Sequence, residues 1–350
     1  MKSPVLLIGN FLSSTTGNYS VCEDLAARLT GLGWPVITTS QKPDRLARVS
    51  DMIASAWVRR NEYAVAHIDV YGGYAFLWAE STCWVLRRAR KPYILTLHGG
   101  GLPVFGKRWP GRVRRLLQSA AVVTAPSNFL LEQMAPYRSD LRLQPNPIDL
   151  NLYHFQKRER LKPKLIWLRA FHSCYNPSLA AEVVALLAKD VPEVNLVMYG
   201  HDKGDGSMQA MRQMAVRLGV SERIKMAGGV PKSEVPGRLS AADIFINTTN
   251  VDNTPISVLE AMACGLCVVS TNVGGIPYLV EHEQDGLLVP PGDAPAMAAA
   301  VRRILSEPGL AERLSVNARK KAERFDWSVI LPEWERLLNR VLKLAGKKGN

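Results

Sequence analysis

The chain has 350 residues and a formal net charge of +13, with 47% hydrophobic and 21% charged residues. Such a composition excludes a disordered or fibrous protein, and the length predicts about two globular domains. Its five cysteines are too few for a disulfide scaffold, and no apolar run approaches the roughly 18 residues of a membrane span.

The first part of the chain alternates short apolar runs with longer amphipathic ones. The short runs predict strands over Val5–Gly9, Pro35–Thr39, Ala64–Ile68, Tyr93–Leu97 and Val122–Ala125. The longer runs predict helices over Ser20–Gly31, Ala75–Arg90 and Asn128–Ala135. Strands separated by helices indicate a parallel α/β sheet. The opening apolar run is too short for a secretion signal, so we expect a cytoplasmic protein.

The loop after the first predicted strand is rich in small residues, which let a backbone approach a ligand closely. We expect this loop to bind a ligand through Ser14, Thr15, Thr16 and Gly17. It lacks the Gly-Lys-Ser/Thr of a Walker loop, and the chain has no G-x-G-x-x-G dinucleotide motif. Simple capping of the next helix by Asn18 is the alternative explanation.

Two histidines accompany neighbouring predicted strands. His98 comes directly after the strand Tyr93–Leu97 and before three glycines, which leave room beside it. Ligands of open α/β sheets bind at the carboxyl ends of strands, so we expect His98 to face a ligand. His67, at the end of the preceding strand, is more typical of a packed histidine.

A basic window extends from Ser81 to Leu131, where the sequence has no Asp or Glu. Aromatic residues alternate with basic ones there, the set being Trp84, Arg87, Arg88, Arg90, Lys91, Phe105, Lys107, Arg108, Trp109, Arg112, Arg114 and Arg115. Basic residues beside aromatic ones are typical of contact with an anionic membrane surface. A solvated basic face is the alternative, and no nucleic-acid motif accompanies the window.

The alternation stops at the Pro-rich segment 145–149. The charged stretch 156–164, in which Leu161 is the one apolar residue apart from proline, then predicts a linker. We therefore predict an N-terminal domain over 1–157, a second domain over 158–325 and a final helical segment over 326–350.

The second part of the chain returns to the same alternation. Strands are predicted over Leu165–Leu168, Asn195–Tyr199, Ile224–Met226, Ile244–Asn247, Cys267–Ser270 and Leu287–Val289. Helices are predicted over Pro177–Lys189, Ser207–Leu218, Glu234–Ala241, Ser257–Cys264, Ala294–Leu305, Gly309–Phe325 and Ser328–Leu344. The chain is therefore predicted to contain two doubly wound α/β domains followed by helices.

The segment from Asp252 to Glu260, Asp-Asn-Thr-Pro-Ile-Ser-Val-Leu-Glu, combines two acids with a predicted helix start near Pro255. The free N–H groups and positive dipole end of a helix suit a phosphate. Glu260 would lie about one to one and a half turns inside the helix, where it can accept hydrogen bonds from hydroxyl groups. A phosphate beside hydroxyl-binding acids is typical of a nucleotide-sugar site.

This segment, with Ala261-Met-Ala-Cys-Gly265 and Gly274-Gly275, resembles the acid-(seven residues)-Glu signature of the retaining glycosyltransferases of family 4. Asp252 replaces the commoner first Glu, and Cys267 takes a place often held by Pro. The resemblance implies the α/β GT-B fold, in which two Rossmann-like doubly wound domains face each other across a cleft. It also implies that the C-terminal helix returns to the N-terminal, acceptor-side domain.

The same resemblance implies roles for residues outside the signature. Arg169 stands where the family has the Arg of a Gly-Arg pair on the donor diphosphate, but Leu168 replaces the Gly and Cys174 replaces a Lys five residues later. Gly200 begins a glycine-rich turn that lines the nucleotide in the family. Gly229 lies in the segment whose backbone reads the base.

The implied activity is transfer of a sugar from a nucleoside-diphosphate sugar, with UDP-sugars favoured, to a glycan or lipid-linked acceptor in cell-surface polysaccharide or glycoconjugate synthesis. The expected catalytic residues are His98, Arg169 and Asp252, and the expected donor-binding residues are Asn253, Thr254, Pro255, Ile256, Glu260, Gly200 and Gly229. Arg169 and the helix start would stabilise the leaving phosphate, so we expect no metal and no cofactor. Asp252 would hold the sugar, Glu260 the ribose, and the protein would lie peripherally on the inner face of the membrane.

Two other functions stay open. A non-hydrolysing nucleotide-sugar epimerase would convert its donor without an acceptor. A catalytically silent, membrane-associated binding protein would keep the fold without turnover, and the altered Gly-Arg…Lys residues favour it. Cys264 and Cys267 form a C-x-x-C without a second pair, which indicates buried apolar cysteines rather than a metal site.

Overall fold

The computed structural model describes residues 2–13 and 20–348. The chain forms two compact units, which we call the first domain (the chain up to Pro147, together with the chain from Trp327) and the second domain (Ile148–Asp326). Among the described residues, every helix is too short or too polar to cross a lipid bilayer.

The first domain is a parallel sheet covered by helices. Its strands are β1 (Val5–Ile8), β2 (Val36–Thr39), β3 (Val65–Val70), β4 (Tyr93–Leu97), β5 (Val122–Ala125) and β6 (Arg142–Leu143), in the order β2-β1-β3-β4-β5-β6. Its described helices are α1 (Val21–Gly31), α2 (Arg45–Val58), α3 (Tyr74–Arg88), α4 (Leu102–Arg108), α5 (Pro110–Ser119), α6 (Asn128–Met134) and, from the end of the chain, α14 (Trp327–Lys348).

The core of this domain explains why β1 is apolar throughout. Val5 and Leu7 point to one face of the sheet and pack with α1 and α14, whereas Leu6 and Ile8 point to the other face and pack with the remaining helices. A central parallel strand is buried on both faces, so it carries a continuous apolar run rather than an alternating one. All four side chains are at most 1% exposed.

The second domain repeats the design. Its strands are β7 (Lys164–Leu168), β8 (Asn195–Tyr199), β9 (Ile224–Met226), β10 (Ile244–Asn247), β11 (Cys267–Thr271) and β12 (Leu287–Val289), in the parallel order β12-β11-β10-β7-β8-β9. Its helices are α7 (Pro177–Leu187), α8 (Ser207–Arg217), α9 (Val235–Ser240), α10 (Ile256–Ala263), α11 (Ile276–Leu279), α12 (Ala294–Ser306) and α13 (Leu310–Ala322). The prediction of two doubly wound parallel α/β domains is confirmed.

The predicted linker is part of the second domain. Arg158, in the middle of the charged stretch, is 3% exposed and forms an ion pair with Asp243 over 3.0 Å. The N–H of Gln156 donates to the carbonyl of Cys264, and that of Ile148 to the carbonyl of Phe325. The compact units accordingly divide after Pro147 rather than at the expected position 157.

Several elements escaped the sequence analysis. The helices α2, α4, α5 and α11 and the strand β6 were not predicted. In addition, β3 continues to Val70, so His67 lies in the middle of this strand and not at its end. The added residues Asp69 and Val70 pair with Thr96 and Leu97 of β4.

Candidate functional site

The carboxyl ends of the parallel strands of the second domain meet at one edge of the sheet. Arg169 follows β7, Gly200 follows β8, Gly229 follows β9 and Asp252 follows β10. The backbones are joined there, since Arg169 N–H donates to Tyr199 O at 3.1 Å and Gly200 N–H donates to Gly228 O at 2.8 Å. Residues far apart in sequence therefore line one edge, where ligands of such folds bind.

Arg169 and Asp252 form an ion pair with each other. Their side chains are 14% and 12% exposed, so the pair is largely removed from water. The guanidinium of Arg169 also lies 4.2 Å from the centre of the Tyr175 ring. Burial lowers the pKa of Arg169, and its Nε has no hydrogen-bond partner among the described residues. Any ligand that engages either charge has to compete with this pair.

Close packing requires glycine at position 200, whereas the close contact at Gly229 is with the exposed side chain of His201. A Cβ on Gly200 would lie 1.7 Å from the carbonyl oxygen of Arg169, and one on Gly229 would lie 2.0 Å from the ring of His201. The former contact is with backbone, which cannot move aside. These glycines bring neighbouring loops together at the sheet edge, as a site that recognises its ligand through backbone groups requires.

The loop that carries Asp252 and Asn253 is held by the glycine pair after β11. The N–H of Gly275 donates to Asp252 O at 3.1 Å. A Cβ on Gly274 would lie 2.1 Å from Asp252 O, and a Cβ on Gly275 would lie 1.8 Å from Asn253 O. The side chain of Asp252 also accepts from the N–H of Asn253 at 2.8 Å. The two glycines thus fix the backbone of the loop.

Helix α10 begins at Ile256, directly after Pro255, as the sequence predicts. Its first intrahelical bond runs from Val258 N–H to Pro255 O, so the earlier amide groups lie at the open end of the helix. Ser257 stands in this first turn, and its buried Oγ has no hydrogen-bond partner among the described residues. The Ser257 hydroxyl is therefore a hydrogen-bonding group that lies beside the helix N-terminus.

Glu260 lies one turn further into α10 and is 6% exposed. The hydroxyl of Tyr153 donates to its Oε1 over 2.7 Å. Burial raises the pKa of Glu260, and the Tyr153 hydrogen bond together with the charges of Lys232 and Arg169 opposes this effect. Tyr153 and Tyr175 are functional candidates that the sequence analysis missed, because no local pattern marks them.

His98 lies in the first domain, where two residues hold its ring. Its Nε2–H donates to Asp69 Oδ1 over 3.0 Å, and Tyr71 stacks on it with ring centres 5.1 Å apart. Burial alone would raise the pKa of Asp69, but His98, His67 and the Cys22 thiol together bring it below its usual range. An ionised Asp69 orients the His98 ring, and neither Asp69 nor Tyr71 was predicted to act there.

His67 is a packed histidine. Its Nε2 bonds to Thr96 Oγ1 over 2.7 Å, and its ring meets Trp334 edge-on at 5.1 Å. Burial lowers the pKa of His67 to about 4, so the ring is neutral at pH 7.

His67, Asp69 and Cys22 offer ligand atoms within 4.8 Å of one another, in a combination that could hold zinc. Hydrogen bonds already hold the group, however, since Asp69 accepts from His98 and His67 bonds to Thr96. Burial also raises the pKa of the Cys22 thiol well above its usual value, which keeps it protonated. We therefore assign no metal to this group.

The predicted site residues divide into three sets. Arg169, Gly200, Gly229, Glu260 and the loop from Asp252 to Ile256 lie at the carboxyl edge of the second sheet. His98 lies after β4 in the first domain. The predicted loop residues Ser14, Thr15, Thr16 and Gly17 lie outside the described residues.

This chain matches two models of known protein families. The model described as Glycosyl transferases group 1 matches residues 153–321, and that described as Glycosyltransferase Family 4 matches residues 34–152. The D-inositol 3-phosphate glycosyltransferase of Streptomyces bingchenggensis is 29% identical over 43% of this chain and 34% of its own length. The N-acetyl-alpha-D-glucosaminyl L-malate synthase of Bacillus anthracis is 26% identical over 71% of this chain and 68% of its own. The chain thus spans only about a third of the first of these relatives.

Solved structures share the whole fold. Sucrose-phosphate synthase of Thermosynechococcus elongatus is 19% identical, with a TM-score of 0.78 over 98% of this chain and 100% of its own. Anabaena HepE in complex with UDP and glucose is 17% identical, with a TM-score of 0.75 over 97% of this chain and 100% of its own. These similarities confirm the GT-B fold class. Because the two family models match consecutive segments from 34 to 321, the chain belongs to the group 1 glycosyltransferases of family 4.

Proposed function

We propose that this protein is a retaining glycosyltransferase that moves a sugar from a nucleoside-diphosphate sugar to a glycan or lipid-linked acceptor. The observation that carries the proposal is the carboxyl edge of the second sheet, where Arg169, Asp252 and the start of α10 meet above the buried Glu260. This edge combines groups for a phosphate with groups for hydroxyls. Membership of the family supports the same activity.

The diphosphate would bind at the start of α10. Three kinds of donor are available there. The amide groups lie at the open end of the helix, and the Oγ of Ser257 and the Nε of Arg169 have no hydrogen-bond partner among the described residues. As the sugar leaves, negative charge grows on the departing phosphate. Preorganised donors of this kind are each worth on the order of 3 kcal/mol of transition-state stabilisation.

The Arg169–Asp252 pair would change partners when the donor binds. Arg169 would turn toward the diphosphate, and the released carboxylate of Asp252 would accept hydrogen bonds from the hydroxyls of the sugar. Tyr175, stacked on the guanidinium, would stay in contact with Arg169 during this exchange. Each member of the pair thus has the other as its partner until the ligand supplies a new one.

Glu260 would hold the ribose. Tyr153 fixes one carboxylate oxygen, and we expect the other to bind the ribose hydroxyls. Asn253, Thr254, Pro255 and Ile256 would shape the loop over the phosphate and sugar, and the backbones at Gly200 and Gly229 would line the nucleotide. His98, oriented by Asp69, is proposed to contact the sugar, and Ser14, Thr15, Thr16 and Gly17 the acceptor.

The choice of substrates rests on the comparisons. Anabaena HepE was solved with UDP and with UDP-glucose, so a UDP-sugar is the favoured donor. The related enzymes act, by name, on inositol 3-phosphate, malate and phosphatidylinositol monomannoside, and all of these acceptors carry hydroxyl groups. We propose a role in cell-surface glycan synthesis at the inner face of the membrane.

Binding is tested by thermal unfolding with UDP, GDP, ADP and common nucleotide sugars. A ligand at a hundred times its Kd adds about 2.7 kcal/mol, which gives a readable shift in Tm. We expect UDP and a UDP-sugar to stabilise the wild type but not Glu260→Gln. The control is Glu222→Gln, an exposed glutamate of the same domain, which should keep the full shift.

Three outcomes would count against the proposal. A shift that Glu260→Gln retains would place the nucleotide elsewhere. Binding without sugar transfer to any hydroxyl acceptor would favour the catalytically silent protein, and interconversion of the donor sugar without acceptor would favour the epimerase.

A further inference from the structure

A groove on the helical layer of the first domain has no role in the reaction proposed above. It lies between α2, α3 and α5 and has a volume of about 530 Å³. Its apolar lining comes from Ile53 of α2, Val85 of α3 and Leu116 of α5. A groove of this size accommodates a small ligand with an apolar part.

The rim of the groove is cationic. Arg112 donates through both its Nε and Nη2 to the carboxylate of Glu80, which neutralises the one acid that lines the groove. Arg87 and Arg115 also line it, and neither forms an ion pair with any described residue. Two exposed guanidinium groups are thus left uncompensated, as an anionic ligand requires.

An exposed tryptophan lies among these charges. Trp84 lines the groove and is 54% exposed, with the guanidinium of Arg88 5.3 Å from its ring centre. Trp57 of α2 and Trp109, directly before α5, are also exposed, by 46% and 43%. Tryptophan beside arginine is enriched where a protein contacts the headgroup layer of a bilayer. Exposed tryptophans beside arginines therefore favour a bilayer over a soluble ligand.

We propose that this groove is a binding site for the headgroup of an anionic phospholipid in a bilayer. Arg87 and Arg115 would hold the lipid phosphate, because guanidinium groups fork onto phosphate oxygens. Trp84 would lie at the level of the glycerol backbone, and the apolar lining would contact the first part of the acyl chains. The absence of Asp and Glu from residues 81–131 keeps the surrounding surface attractive to anionic lipid.

The test compares two pairs of substitutions in sedimentation with vesicles. Arg87→Gln with Arg115→Gln removes the two charges of the groove, and Lys107→Gln with Arg108→Gln removes two charges of the same basic window outside it. Vesicles of phosphatidylcholine with 30% phosphatidylglycerol are compared with pure phosphatidylcholine. All four residues are exposed, so the variants should melt as the wild type does.

Loss of two basic residues from a diffuse basic face weakens binding to anionic vesicles about thirtyfold, at about 1 kcal/mol per residue. We expect the control pair to lose no more than this, and the groove pair to lose at least tenfold more than the control. Equal losses from the two pairs would mean that a diffuse basic face attracts the vesicles, and would overturn the proposal. Equal binding of wild type to the neutral vesicles would overturn it as well.

Two further readouts separate lipid from free phosphate. Lipids with brominated acyl chains should quench tryptophan fluorescence, and Trp84→Phe should remove most of this quenching. A short-chain phosphatidylglycerol should displace the protein from vesicles, whereas glycerol phosphate at the same concentration should not. Displacement by glycerol phosphate, or by a single-stranded oligonucleotide, would show that the groove takes a soluble anion and would refute the assignment to lipid.

Discussion

Glu260 is a carboxyl group that folding removes almost completely from water. Burial raises its pKa, and the hydrogen bond from Tyr153 with the charges of Lys232 and Arg169 offsets only part of this effect. A buried acid of this kind reduces the stability of the fold at neutral pH. Its retention in the sequence is explained if the hydroxyls of a bound ligand supply the missing hydrogen bonds.

Replacing Glu260 with Gln should therefore raise the free energy of unfolding at pH 7, although we expect it to abolish nucleotide binding. Below pH 4.5, its ordinary pKa, the glutamate is protonated in both the folded and the unfolded chain, and wild type and variant should be equally stable. As pH rises above 4.5, the unfolded chain ionises before the folded one, so the wild type loses stability relative to the variant. Denaturant unfolding of both proteins across this pH range measures the difference.

A smaller free energy of unfolding for Glu260→Gln at pH 7 would contradict this account. It would mean that the ionised carboxylate makes favourable contacts within the protein itself. Glu222→Gln, at an exposed position, serves again as the control and should leave the pH dependence unchanged.

Candidate-site residues could be predicted from the sequence where they belong to a recognisable local pattern. Asp252 and Glu260 stand in one short segment, and Arg169 closes an apolar run. Tyr153 was missed because it bonds to Glu260 across 107 residues of sequence. Asp69 was missed as the partner of His98 for the same reason, since the two meet only when β3 and β4 pair.

Among the elements, the glycine pair after β11 determines the shape of the candidate site. Gly275 has φ −85° and ψ −4°, angles that alanine adopts without strain. The need for glycine there is purely steric, because a Cβ would lie 1.8 Å from the carbonyl oxygen of Asn253.

Gly275→Ala should destabilise the protein by about 1–3 kcal/mol, the usual effect of overpacking, and should weaken nucleotide binding. Gly101→Ala is a matched control, since Gly101 has φ −84° and ψ −8°, also precedes a short helix, and has open space around its Cβ position. We expect the free energy of unfolding of the control to lie within about 1 kcal/mol of the wild-type value. Thermal unfolding with and without UDP checks both variants, and equal behaviour of the two would refute the steric argument.

Strands were the most predictable elements, because a strand buried on both faces is apolar from end to end, as in Val5–Ile8. Helix α2 was not recognised, since the charged Arg48 takes one of its buried positions while apolar Leu46 and Val58 are exposed. The predicted linker was wrong for a related reason. A charged run is normally solvated, and no residue near Arg158 in the sequence indicates that its side chain pairs with Asp243 in the interior.

For the whole molecule, the notable feature is that the first domain is built from two separate parts of the chain. Helix α14 adds six buried apolar side chains to its core: Trp327, Ile330, Trp334, Leu337, Leu338 and Val341. At roughly 1.5–3 kcal/mol each, these side chains contribute on the order of 10 kcal/mol. That amount is comparable to the entire stability of a typical domain.

A fragment of residues 1–147 should therefore fail to fold alone, whereas residues 148–326, which are continuous, should fold. Joining 327–350 to the first fragment through a flexible Gly/Ser linker should restore folding. Circular dichroism and denaturant unfolding of the three fragments check this prediction. Cooperative unfolding of residues 1–147 by themselves would show that α14 is dispensable.

Because the first domain is built from two separate parts of the chain, it is completed after the second domain during synthesis. The ribosome makes β1 near the beginning, but the helix that covers one face of this strand emerges only after all of residues 148–326. At about 5–20 residues per second, that face stays exposed for on the order of ten seconds or more. The first domain is thus completed after the second, so the nascent protein presents an apolar surface to chaperones until α14 has been synthesised.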